Sequence, residues 1–83
     1  MITKENLKYF VETIDPETMQ IELDKPNDFV LLEAHIFNAG AYATIESLDY
    51  DEELDEGAAA SGNLFIYKDD FLRLCEDLEI FEY

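Results

Sequence analysis

Cations are what this sequence has least of: five Lys and Arg stand against 21 Asp and Glu, a formal net charge of −16. A surface of that sign repels phosphate backbones and anionic lipid headgroups, so direct binding to nucleic acid or to a membrane surface is excluded and an electrostatically favoured partner is basic. No apolar run approaches the ~20 residues that span a bilayer. The opening Met1-Ile2-Thr3-Lys4-Glu5-Asn6 has no apolar leader core. The lone cysteine, Cys75, has no partner for an intrachain disulfide, which fits a reducing compartment. The expected location is cytoplasmic. His35 is the single histidine, and glycines at 40, 57 and 62 match no phosphate-cradling loop, so nucleotide cofactors are not expected.

What is present argues for a folded chain. Eighty-three residues suit one domain with a small core. The 48% hydrophobic and 13% aromatic shares separate it from disordered acidic chains, which lack Phe and Tyr.

Thr3 reads as a helix N-cap, with Ile2 and Leu7 placed as a hydrophobic staple and Glu5 in the first turn. Leu7, Phe10, Val11 and Ile14 then follow helical spacing, and Pro16 ends the helix around Glu12 to Ile14. Met19, Ile21 and Leu23 alternate with polar residues, the pattern of a half-buried strand. Lys25-Pro26-Asn27-Asp28 is turn chemistry. Phe29 to Phe37 and Ala41 to Leu48 read as two strands of a hairpin closed by Ala39-Gly40. That register sets Ile36 by Ala43 and Ala34 by Ile45 on one face, with Val30 and Leu32. On the other it sets Phe37 by Tyr42, His35 by Thr44 and Glu33 by Glu46.

Residues 49–62 hold an acidic run followed by Gly57-Ala58-Ala59-Ala60-Ser61-Gly62 and are expected to be a mobile loop, with room for a helical turn around Asp51 to Glu56. Leu64 to Tyr67 reads as a short strand, and Asp69 as the cap of a last helix with Phe71, Leu74, Cys75 and Leu78 on its stripe. The tail Ile80-Phe81-Glu82-Tyr83 adds extended residues. The expected class is α+β: a small single domain, residues 1–83, with a helix, a four-stranded antiparallel sheet and a helix, the helices on one face.

No catalytic constellation emerges. Asp49, Asp51, Glu53 and Asp55 alternate like the early ligands of a calcium loop, but neither register supplies Gly at the sixth position with Glu at the twelfth. Carboxylate pairs at useful distances arise by chance among 21 acids, and acid–base work needs a desolvating pocket. His35 reads as a partly exposed sheet residue and Cys75 as a small buried hydrophobe. Neither an enzyme, a metal site nor a cofactor is expected.

The distribution of charge is the functional signal. Between Lys25 and Lys68 there is no Lys or Arg, while nine carboxylates fall there: Asp28, Glu33, Glu46, Asp49, Asp51, Glu52, Glu53, Asp55 and Glu56. A surface selected for solubility mixes signs, and this stretch does not. Extended at ~3.3 Å per residue, the run from Glu46 to Glu56 spaces its charges by about 5 Å; coiled into a helix it is denser than a DNA strand, with one phosphate per ~3.4 Å. The expected partner-binding set is Glu33, Glu46, Asp49, Asp51, Glu52, Glu53, Asp55 and Glu56 with Tyr42 and Tyr50 as aromatic anchors. Tyr9, Tyr67, Tyr83, Phe29, Phe37 and Phe81 are further aromatics divided between core and interface.

In length and charge, not in aligned residues, the chain resembles phage anti-restriction and anti-CRISPR proteins, DNA mimics that inhibit a nuclease or other nucleic-acid-binding protein, and toxin-neutralising immunity proteins. The resemblance carries over no site. It implies a small acidic interaction protein that inhibits or sequesters a basic partner. The alternative is an immunity-type, scaffold or self-associating domain, a homodimer included, whose acidity serves solubility.

Overall fold

The structure is a computed structural model that describes residues 1–80; the tail residues Phe81, Glu82 and Tyr83 lie outside the described residues. It is built from α1 (Leu7–Glu12), α2 (Pro16–Leu23), β1 (Phe29–Phe37), β2 (Gly40–Leu48), α3 (Glu52–Ser61), β3 (Leu64–Tyr67) and α4 (Lys68–Asp77). The strands form one antiparallel sheet in the order β2-β1-β3.

This is an α+β fold, with three strands where the sequence suggested four. The segment expected as the first strand is α2. Asp15 caps it by accepting the Glu17 N–H at 3.2 Å, and Pro16 occupies the first helical position, where its missing N–H is harmless. The alternation of Met19, Ile21 and Leu23 misleads because the first and last are also four apart, hence on one helical face. Met19 is buried and Leu23 half-buried, while Ile21 between them is 56% exposed.

Period-two alternation divides the sheet into two faces. Val30, Leu32, Ala43 and Ile45 pack beneath α1, α2 and α4, against Leu7, Phe10, Val11, Ile14, Met19, Phe71 and Cys75. Phe29, Leu31 and Phe65 on the reverse pack with Leu54 and Ala58 of α3. Helices therefore cover both faces, which corrects the one-sided arrangement. The segment expected as a loop is α3. Asp51 caps it, accepting from the N–H groups of Glu53 at 2.9 Å and Leu54 at 3.3 Å, and Glu52, Glu53 and Asp55 in its first turn complement the helix dipole.

Gly62 ends α3 at φ +74°, and its carbonyl accepts the Ile2 N–H at 2.7 Å. A Cβ there would stand 3.0 Å from the Met1 Cα, so only glycine lets the N-terminal segment cross so closely.

The hairpin register is displaced by two residues from the expected one. Phe37 pairs with Gly40, so the loop is Asn38-Ala39; His35 pairs with Tyr42, Glu33 with Thr44 and Leu31 with Glu46. Gly40, at φ +157°, opens the returning strand in a conformation side chains rarely adopt. An even displacement preserves parity, so every residue keeps its expected face, but Glu33 and Glu46 are diagonal neighbours and not a cross-strand pair.

Thr3 and Asn6 exchange hydrogen bonds at 2.6 and 3.3 Å across a turn, with regular helix starting at Leu7. Asp69 lies inside the first turn of α4 and does not cap it: β3 runs straight into this helix, and the Lys68 N–H donates to the Asp28 carbonyl at 2.7 Å.

The outer edge of β2 is closed by side chains. The Tyr9 hydroxyl donates to the Ala41 carbonyl at 3.2 Å, Thr13 Oγ1 accepts the Ala43 N–H at 2.9 Å, and Glu22 Oε1 accepts the Ser47 N–H at 2.9 Å. On the opposite edge of β1, beyond the end of β3, Asn63 Oδ1 accepts the Ala34 N–H at 3.0 Å. The Ser47 hydroxyl is buried with no hydrogen-bond partner among the described residues. No helix among the described residues is long and apolar enough to cross a membrane.

Candidate functional site

The acidic run is carried by α3 and the strand faces beside it. Leu54 and Ala58, four apart, hold the helix to the sheet. By helical geometry Glu52 and Glu56 then stand on the crest, with Glu53 and Asp55 on opposite flanks. All four are exposed. They occupy about 6 Å of helix axis, denser than the ~3.4 Å phosphate spacing of a DNA strand.

Glu33, half-buried, and Glu46, exposed, project from the same side of the sheet, and so does Tyr42. Tyr42 stacks on His35 with centroids 4.7 Å apart and planes at 17°, and touches Phe37 at 6.1 Å. The His35 Nε2 lies 3.2 Å from Thr44 Oγ1.

The ten residues marked from sequence thus fall on the α3 side of the sheet or on the segment entering α3, though two have local structural roles as well. Asp51 is the cap of α3, and Asp49 Oδ1 accepts from Asn27 Nδ2 at 3.1 Å, tying the chain before α3 to the turn before β1. Among the described residues the ion pairs are Lys25–Glu22 at 2.7 Å and Arg73–Asp70 at 3.5 Å; neither involves any of the ten marked residues. The five cations are elsewhere: Lys4 and Lys8 near α1, Lys25 after α2, Lys68 and Arg73 on α4. Among the described residues no three His, Cys, Asp or Glu side chains converge as a metal would require.

An aromatic pocket that sequence reading did not assemble opens beside α3. Phe29 is its floor, with Tyr67 at 4.2 Å, Phe65 at 5.0 Å and Tyr50 at 5.2 Å between ring centroids. Asp55 of α3 and Asp70 of α4 line it too, around a volume of about 370 Å³. Pairing of Phe29 with Tyr67 in the β1–β3 ladder brings these segments together. Phe65 and Tyr67, two apart in β3, share a face of the strand, but nothing local names their partner. The phenol of Tyr50 is held above its ordinary pKa, by partial desolvation first and then by the charges of Asp55, Glu52 and Glu56, so a negative field reaches the pocket.

A second, larger hollow of about 540 Å³ lies between α1, α2 and α4, lined by Val11, Ile14, Met19, Leu23, Leu72 and Ile80 among others. It contains none of the residues marked from sequence. Cys75 is buried beneath α4, and burial pushes its thiol up to about 12, which leaves it unreactive.

Compared with protein families, with curated proteins and with solved structures, the chain has no match in any of the three.

Proposed function

We propose that this protein is a small acidic inhibitor or sequestering protein for a basic partner, acting through the α3 side of its sheet, with a nuclease or other DNA-binding protein as the favoured target. The observation that carries the reading is segregation of charge. Residues 26–67, which build the hairpin, α3 and β3, contain no Lys or Arg. Their carboxylates are free of ion pairs among the described residues. A like-charged patch of this kind opposes folding through self-repulsion and speeds encounter with a basic surface. Exposed Tyr42 and Tyr50 supply anchors within it. Helix α3 presents its acids at a density that meets that of a phosphate backbone, which is why a nucleic-acid groove is the favoured target.

The test is capture from host lysate by the native protein and by a variant carrying Glu33→Gln, Glu46→Gln, Glu52→Gln, Glu53→Gln and Glu56→Gln, which leaves the Asp51 cap in place. The native protein should retain a basic protein that duplex DNA displaces and that high salt releases, and the variant should lose it. Undiminished capture by the variant refutes the reading.

One observation favours self-association instead. Ile36 is 70% exposed at the hairpin tip, with Phe37 and Tyr42 exposed nearby. A dimer through this tip would be indifferent to salt and would dissociate on Phe37→Ser, read by sedimentation.

A further inference from the structure

The pocket beside α3 combines two features: four aromatic rings around one hollow and two carboxylates from separate helices lining it. Aromatic faces carry negative quadrupoles that attract a cation within about 6 Å of the ring centroid, and the carboxylates add formal charge of the same sign. The chemistry favoured there is an organic cation with an apolar body. Of the two cationic side chains, the guanidinium fits better. It is planar, less tightly hydrated than an ammonium, stacks on rings, and hydrogen-bonds a carboxylate with two N–H groups at once. The pair between Asp70 and Arg73, at 3.5 Å, is solvent-exposed and leaves Asp70 available.

Two details argue that the cation arrives on a protein and not as a free small molecule. Tyr50 and Tyr67 are each 57% exposed, so the walls are open and do not enclose a ligand. The α3 acids continue directly from Asp55, extending the attraction beyond the pocket. We infer that this pocket is an arginine socket: a guanidinium from the basic partner stacks against Tyr50 and Tyr67 over Phe29 and pairs with Asp55 and Asp70. The inference rests on the reading that the partner is a basic protein, and it names the side chain that gives the complex its register.

The experiment titrates the full chain with three nonapeptides of equal charge, presenting arginines, lysines or trimethyl-lysines, followed by amide chemical shifts and calorimetry. The arginine peptide should bind about tenfold more tightly than the lysine peptide, with the largest shifts at Phe29, Tyr50 and Tyr67. Asp55→Asn with Asp70→Asn should abolish that preference, whereas Glu52→Gln with Glu53→Gln should weaken the arginine and lysine peptides equally and keep it. The lysine peptide reports that each variant is folded and still acidic. Equal affinities of the arginine and lysine peptides for the native protein, shifts that bypass the pocket, or tighter binding of the trimethyl-lysine peptide each overturn the assignment. An arginine preference without charge-dependent capture from lysate retains the socket and removes the inhibitor reading. Charge-dependent capture without the preference does the reverse.

Discussion

The two faces of the sheet differ in almost every respect. One is roofed by three helices, holds the largest fully buried side chains, and has all five cations on or beside the helices that cover it. The other is roofed along part of its length by α3, leaves His35, Phe37, Tyr42, Thr44 and Glu46 outside that roof, and is anionic throughout. The three-helix face can account for folding, since it contains the continuous apolar core. The α3 face holds four buried residues and concentrates charge that a stability requirement alone would disperse.

Adjacent leucines give the sharpest test of that contrast. Leu32 points into the three-helix core with no exposed surface, and Leu31 points under α3 at 7%. Leu32→Ala should cost about 4 kcal/mol and Leu31→Ala about 2, by urea denaturation, because the thinner layer relaxes and admits water more readily. Equal losses would mean that α3 is as much core as the other helices.

Next in size is Gly62→Ala, which strains the left-handed end of α3 and pushes on Met1; about 2 kcal/mol should be lost, with the amides of Ile2 and of α3 losing hydrogen-exchange protection together. Thr13→Val keeps shape but removes the acceptor for the Ala43 N–H, and thermal unfolding should report a loss of about 1 kcal/mol. The smallest effect belongs to the α3 face itself. Glu46→Gln, Glu52→Gln and Glu53→Gln together should change stability by less than about 0.5 kcal/mol, toward stabilisation at low salt as repulsion falls and offset in part by weaker dipole pairing at α3. A large destabilisation there would assign the acids to folding and remove the contrast.

How far the fold was legible follows the range of the interactions concerned. The hairpin's two faces were readable because alternation in Val30, Leu32, Ala34 and Ile36 is local, and they survived a two-residue error in the turn. Its register was not, since Asn38-Ala39 and Ala39-Gly40 are both acceptable loops until the backbone of Gly40 is known. Helix α2 was written in Asp15-Pro16-Glu17, where a cap and a first-turn proline stood in the place of an apparent stop. Gly57 and the alanine stretch disguised α3, although Asp51 with Glu52 and Glu53 is a start signal. The acidic run was legible because it is contiguous. The aromatic pocket was not, since Phe29, Tyr50, Phe65, Tyr67 and Asp70 meet through the long-range β1–β3 pairing.

The guarded edge of β2 has a consequence in acid. Glu22, which accepts the Ser47 N–H, has its carboxyl pKa lowered below 4.5, chiefly by its hydrogen bond to Lys25 and then by the one from Ser47. A depressed pKa means that its contribution is intact above the unfolded value and disappears as pH falls through the folded one. Net charge vanishes near pH 4.1, the isoelectric point. Colloidal repulsion is thus lost there, whereas the hydroxyl contacts of the guard, Tyr9 to Ala41 and Thr13 to Ala43, do not titrate in acid, so the protein should first precipitate as native, redissolving aggregate. Thioflavin-binding fibrils, which need an unguarded strand to template the next molecule, should form only at lower pH.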